Sequence, residues 1–189
     1  NDIYLVNQFY SWTNNLVPNK FPTLDGDHPR MVIPFRDSNG DIFAYQGRAF
    51  GNEKPKYITI ILDESVPKIF GLDRVDPSRD IFVVEGPIDS LFIQNCIAVA
   101  QSDLRVPQYK DKAILVPDNE PRNKQIIQQL ERAIDDNYRV VIWPDYVRQK
   151  DINDMILSGL DAVEIMDIIS NNTFQGLSAK VELQKWKRT

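Results

Sequence analysis

The sequence is short of the residues that build covalent or soft-metal frameworks. It has one cysteine, Cys96, and one histidine, His28, among 189 residues. Neither a disulfide nor a Cys/His zinc site can therefore form within the chain, and any metal must be held by oxygens. Cys96 lies in the apolar run Phe92-Ile93-Gln94-Asn95-Cys96-Ile97, the setting of a buried, inert thiol. His28 stands beside Pro29 in a polar loop, where solvation accounts for it. Long hydrophobic runs are missing too. None approaches the roughly 20 residues of a membrane span, and no basic stretch followed by an apolar one opens the chain, so the cytoplasm is the expected location. Positive charge is not in excess: 22 Lys and Arg stand against 27 Asp and Glu, a net charge of −5. That argues against a surface that gathers nucleic acid as a whole, but not against a local basic track. Repeats and low-complexity runs are absent, and the first residue is Asn1 rather than methionine, as expected for a piece of a longer protein with domains upstream.

What is present supports a real core. Hydrophobic residues make up 42% of the chain, enough for one large domain or two small ones. Residues 1–29, with Trp12, several prolines and Asp25-Gly26-Asp27, suit short elements and turns. Two apolar segments, 31–35 and 42–46, then flank Asp37-Ser38-Asn39-Gly40-Asp41. Asn-Gly accepts positive φ, so a β-hairpin is expected, with a further strand at 57–61 after Lys54-Pro55-Lys56. From residue 81 the pattern becomes an alternation of buried strands and amphipathic helices, the mark of a doubly wound α/β unit. The expected strands are 81–84, 97–100, 113–116 and 139–143; the expected helices are 88–95, 122–135, 152–158 and 161–170. The helix at 122–135 is the clearest, because Ile126, Ile127, Leu130, Ala133 and Ile134 fall on one face. Pro107 breaks the stretch 104–111, and the chain after Asn172 reads as a weak tail or a short helix around 180–187.

Acids follow three of these strands. Ile81-Phe82-Val83-Val84 runs into Glu85-Gly86-Pro87-Ile88-Asp89, Ala113-Ile114-Leu115-Val116 into Pro117-Asp118-Asn119-Glu120, and Val140-Val141-Ile142-Trp143 into Pro144-Asp145 and then Lys150-Asp151-Ile152-Asn153-Asp154. In an open α/β sheet the carboxyl ends of the strands form the ligand crevice. If the three strands share a sheet, Glu85, Asp118, Glu120 and one or more of Asp145, Asp151 and Asp154 converge there. Like charges so gathered call for a cation. Oxygen donors without His or Cys suit Mg²⁺ or Mn²⁺, and the implied chemistry is phosphoryl or nucleotidyl transfer. The competing reading, in which acids merely cap helices and loops, fits Asp89 and Asp154 individually but not the repeated pattern.

These residues resemble the TOPRIM domain, and within it the DnaG-type primases, particularly those of T4-like bacteriophages. The run from Val83 to Leu91 is similar to the acidic motif in which a glutamate ends a strand and an aspartate follows. Asp118-Asn119-Glu120 stands where that family has paired aspartates, with Glu in place of the second. Lys150-Asp151-Ile152-Asn153-Asp154 resembles the lysine-preceded acidic motif after the next strand. Upstream, Arg30 to Gly40, Gly47-Arg48 and Lys54-Pro55-Lys56-Tyr57 look like the primase segment that precedes TOPRIM, with its Pro-Lys-Tyr element. The resemblance runs from about residue 30 to about 158. It departs at Gln101-Ser102-Asp103, which lacks a glycine common there in bacterial primases, and it includes no zinc-binding domain, which would lie upstream.

The resemblance implies an α/β TOPRIM fold, a mostly parallel sheet flanked by helices, preceded by a smaller α+β basic subdomain. The expected divisions are 1–79, 80–171 and a tail or short helix at 172–189, with template and nucleotides in the groove between the first two. By the same resemblance, Glu85, Asp118 and Glu120 are the catalytic acids and hold Mg²⁺ (or Mn²⁺) with Asp151; Asp89 and Asp154 support the metal. Arg30, Arg36, Arg48, Lys54 and Lys56 contact template backbone or triphosphate, a task suited to such cations. The implied activity is that of a DNA primase, extending an RNA primer from NTPs on a single-stranded DNA template by attack of the 3′-hydroxyl on the α-phosphate. A replicative helicase is the implied partner, and a phage protein would work in the host cytoplasm. Two alternatives stand beside it. A TOPRIM nuclease would use the same acids with water as nucleophile but has no use for the basic hairpin, and a noncatalytic module would dock nucleic acid or a protein through that hairpin alone.

Overall fold

The computed structural model describes residues 3–100 and 103–188. Gln101 and Ser102, the first two residues of the segment that departs from bacterial primases, lie outside the described residues. Contacts divide the chain into two compact units, Asn1–Asp73 and Arg74–Thr189. Among the described residues no helix is long and apolar enough to cross a membrane.

In the first unit four antiparallel strands, β1 (Tyr4–Val6), β2 (Arg30–Arg36), β3 (Ile42–Ala49) and β4 (Tyr57–Ile61), lie in chain order. The β2–β3 hairpin closes as its turn residues require. Gly40 takes φ of 89°, and the Asp37 carboxylate accepts the N–H groups of Asn39 and Asp41 at 2.9 and 3.0 Å. Helix α1 (Phe9–Leu16) is one of the short elements that residues 1–29 suit, though its place was not marked in the sequence. Its cap comes from far along the chain. Asp27 accepts the N–H groups of Tyr10 and Ser11 at 2.7 and 3.0 Å, satisfying donors that the helix cannot. Phe9 then sinks fully into a core with Val32, Tyr45 and Ile60. It packs so closely on Gly47 that a Cβ there would collide with its ring.

The second unit holds a five-stranded sheet in the order β6-β5-β7-β8-β9. Strands β5 (Ile81–Val84), β6 (Cys96–Ala98), β7 (Ala113–Leu115) and β8 (Arg139–Val141) are mutually parallel, and β9 (Thr173–Phe174) joins β8 antiparallel. Residues of β5, β6 and β7 are apolar throughout, and β8 is apolar after Arg139, as expected of strands covered on both faces. Helices α2 (Lys124–Asp135), α3 (Ile152–Leu157), α4 (Ala162–Asn171) and α5 (Gly176–Trp186) complete the unit. Asn123 caps α2, its side chain accepting from Gln125 N and Ile126 N, and the buried face of α2 comprises the five apolar residues expected.

Two expectations need correction. The helix expected at 88–95 is a single 3-10 turn, Asp89–Leu91. Side-chain bonds compete with the helix there: Ser90 Oγ donates to Pro87 O at 2.7 Å, and Asn95, at φ of 49°, turns the chain back into β6. After Asn172 the chain is not a weak tail, and the short helix expected around 180–187 begins earlier, at Gly176. The chain adds β9 and the eleven-residue α5, whose Ala179, Leu183 and Trp186 are buried.

Candidate active site

The sheet order places the site. The chain leaves β5 for β6 on one side and then returns to β7 on the other, so the sheet reverses direction between β5 and β7. Such a switch point opens a crevice at the carboxyl ends of the two strands. Glu85 follows β5 directly, and Asp118 follows β7 after Val116 and Pro117. The main chain is pinned close by, with Val116 N donating to Val83 O at 2.8 Å and Ala100 N to Glu85 O at 3.0 Å.

Five acids meet here. Burial first, and then the charge of Asp118, push the Glu85 carboxyl up to about 7, with Glu120 and Asp89 adding to the effect. Asp89 is pushed up to about 6, mainly by burial, against the lowering effect of the Asn153 N–H that its Oδ1 accepts at 2.8 Å. Asp118 is raised for the same leading reason, burial, which outweighs the lowering by Lys150. Lys150 enters as the counter-charge, its Nζ 3.2 Å from Asp118 Oδ2 and 3.8 Å from Glu120 Oε1. Burial lowers its own pKa, but Asp118, Glu120 and Asp151 together outweigh that, and the net shift is upward. One ammonium therefore faces a larger number of carboxyls. The raised values record burial first, and then charge left uncompensated.

Backbone and second-layer contacts hold these groups in place. Gly86 leaves room for Asp89, since a Cβ on it would lie 2.6 Å from Asp89 Oδ2. Arg74 donates to Ser90 Oγ at 2.8 Å, steadying the turn that carries Asp89. Asn119, between the two acids of its loop, donates its main-chain N–H to Lys150 O at 2.6 Å and its amide to Val147 O and Gln149 O at 3.0 and 3.1 Å. The Asp118 and Lys150 loops are thereby joined. Glu120 Oε2 accepts from Asn123 Nδ2 at 3.2 Å.

Asp151 caps α3, accepting the N–H of Asp154 at 2.8 Å, and its charge acts on Asp89 and Asp118. Asp154 is exposed in the first turn of α3, where its N–H is accepted by Asp151, so it serves the helix start. Asp145 is turned to solvent with an exposed side chain paired to Arg188 at 2.9 Å. The convergence thus draws in Glu85, Asp89, Asp118, Glu120 and Asp151, but not Asp145 or Asp154. Among the described residues no group of three or more acids, His or Cys is arranged to hold a metal ion. The donor set nevertheless fits a hard divalent cation, being all oxygen and short of positive charge.

In the first unit the five expected phosphate contacts divide. Arg30 is fully buried, donating to Gly47 O, Lys56 O and Pro55 O at 3.1, 3.2 and 2.9 Å and lying over the Phe9 ring. It braces β3 against the segment before β4 and is not available to a phosphate. Arg36 is half-buried and donates to Gly40 O at 2.8 Å, closing the hairpin. Lys54 and Lys56 are exposed, and Arg48 is partly so. Arg48 and Lys56 lie 5.9 and 5.6 Å from the ring centre of the exposed Tyr57, and Arg48 Nε donates to Tyr57 OH at 3.2 Å. Sequence reasoning passed over the roles of Lys150, Asn119 and Tyr57, though each stood within a motif it quoted. The signal was there in the amide between two acids and in the ring opposite Arg48 in the β3–β4 pairing.

No family model matches the chain. The DNA primase of Enterobacteria phage T4 is 38% identical over 191 residues, an alignment taking in 98% of this chain and 55% of that protein. The zinc-binding and RNA polymerase domains of the Aquifex aeolicus primase superpose with a TM-score of 0.63 at 19% identity, covering 91% of this chain and 51% of that one. A DnaG primase catalytic domain bound to single-stranded DNA matches with a TM-score of 0.58 at 18% identity, over 75% of this chain and 51% of that one. The chain therefore spans about half the length of these proteins. The chain is thus similar to a phage DNA primase along nearly all its length, and it has the fold of DnaG primase catalytic cores.

Proposed function

We propose that this chain is the RNA polymerase core of a DNA primase, joining NTPs into a short RNA primer on single-stranded DNA. The observation that carries the reading is the meeting of Glu85, Asp118 and Glu120 with Lys150 at the sheet's switch point, where carboxyls outnumber the positive charge. Glu85, Asp118, Glu120 and Asp151 would hold Mg²⁺ or Mn²⁺, which when bound supplies positive charge for a transferring phosphoryl group and its pyrophosphate leaving group. Asp89 supports the group from behind, tied to the N–H of Asn153. Lys150, at the rim with a half-exposed side chain, would orient a triphosphate as a point charge. Arg48, Lys54 and Lys56 would grip the phosphates of the template; a DnaG catalytic domain of the same fold binds single-stranded DNA. The exposed face of Tyr57 offers a stacking surface to a base. Template binding should then weaken with salt. A replicative helicase as partner follows from the family resemblance alone.

The test is incubation with labelled NTPs, Mg²⁺ or Mn²⁺ and single-stranded DNA. Template-dependent incorporation that is lost in Glu85→Gln and Asp118→Asn supports the reading. Cleavage of the template without incorporation would reject it in favour of a nuclease built on the same acids.

A further inference from the structure

The helix at the end of the chain reaches the acid loop. Asn119 side-chain Nδ2 is taken up by Val147 O and Gln149 O, and its Oδ1 accepts the indole N–H of Trp186 at 3.1 Å, from 67 residues further along. Trp186 is 5% exposed and occupies the last turn of α5, where Ala179 and Leu183 are also buried. A second indole acts on the same loop, Trp143 Nε1 donating to Pro117 O at 2.7 Å from a side chain 2% exposed. The two tryptophans thus hold the loop on either side of Asp118, one through the residue before it and one through the residue after. Just beyond Trp186, Lys187 pairs with Glu131 of α2 at 3.3 Å, and Arg188 N donates to Pro121 O at 2.8 Å. The helix end is therefore anchored at several points around the loop.

An amide with its acceptor and donors all engaged has one orientation. With Oδ1 held by the indole, the Nδ2 hydrogens must point to the carbonyls of the Lys150 loop. The side chain then ties Asp118 and Glu120 to the loop that carries Lys150 and Asp151. Without the indole N–H, the part-buried Oδ1 would lose its donor, and the amide, still hinged on the two carbonyls, could tilt out of place. We propose that Trp186 is a positioning residue, which orients Asn119 through its indole N–H and so sets the spacing of the acids that receive the divalent cation. This rests on the metal reading given under Proposed function.

The test is Mn²⁺ binding by the whole chain, followed by the spectroscopic signal of the bound ion, in the parent, Trp186→Phe, Asn119→Ala, their double variant and Glu85→Gln. Phenylalanine keeps an aromatic ring at the site while removing the donor and part of the indole's volume, and thermal melting reports whether each variant folds. The expected result is Mn²⁺ binding about tenfold weaker in Trp186→Phe, the scale of an outer-layer contact to a metal site. Asn119→Ala should lose at least as much, and the double variant should be no weaker than Asn119→Ala alone. Binding in Trp186→Phe equal to the parent, with Glu85→Gln weakened, would overturn the positioning role while leaving the metal reading intact. Additive losses in the double variant would also overturn it, because the two groups would then act independently. Binding unchanged in Glu85→Gln would overturn the metal reading, and the positioning role with it.

Discussion

Glu85 concentrates the tension in this molecule. Its carboxyl is buried at the end of a parallel strand and raised to about 7 by that burial and by its acidic neighbours. In the absence of metal, the ionised form therefore opposes folding. Glu85→Gln removes that charge while keeping the shape, and should stabilise the chain in chelator by on the order of 1–2 kcal/mol. Melting temperature in EDTA checks this. The same variant should lose metal-dependent nucleotide incorporation, so stability and activity should move in opposite directions. An ordinary surface acid in a βα turn would show neither effect. Lys150 has the complementary position, because a single ammonium between Asp118 and Glu120 lowers the cost of gathering these acids without cancelling it.

At the scale of elements, the β5 turn tolerates little change. Gly86 is needed for the space it leaves rather than for an unusual φ, since an added Cβ would meet Asp89 Oδ2 at 2.6 Å. Gly86→Ala should displace Asp89 from Asn153, costing on the order of 1–2 kcal/mol in stability. Melting, together with the rate of amide exchange at Asn153, would check it. Much of this architecture was legible in the sequence where the signal is local. The strand Ile81–Val84 is an apolar run bounded by an acid and a glycine, and α2 shows its buried stripe and its Asn123 cap within a few residues. What escaped depends on distant partners. Helix α1 is capped by Asp27 from 16 and 17 residues away, and α5 buries only three side chains, too sparse a stripe to announce more than the short helix expected around 180–187. Arg30 escaped for a related reason: its charge reads as a phosphate contact until the carbonyls of Gly47, Pro55 and Lys56 are seen to surround it.

Across the whole molecule, the acids set an unusual dependence of stability on pH. Glu85 and Asp89 have folded values of about 7 and about 6, and Asp118 is also raised. Groups raised on folding contribute stability that is present in full below their unfolded value and is lost as pH rises through the folded one. In chelator the chain should therefore melt at a lower temperature at pH 8 than at pH 5. Asp80 and Asp103 work the other way, lowered first by hydrogen bonds from Arg139 and Arg105, and their contribution fades only as pH falls through the ordinary aspartate range and below. Adding Mn²⁺ should flatten the loss between pH 5 and 8, since a bound cation favours the ionised acids. Melting curves at the two pH values, with and without Mn²⁺, decide this.

The most direct measurement is a Mn²⁺ titration of the parent chain beside Glu85→Gln, Asp118→Asn and Asp154→Asn. A shared metal site at the switch point predicts strong weakening in the first two variants and parent-like binding in the third, whose side chain faces solvent at the start of α3. Equal affinity in the parent, Glu85→Gln and Asp118→Asn would contradict it, leaving these acids with a structural role alone.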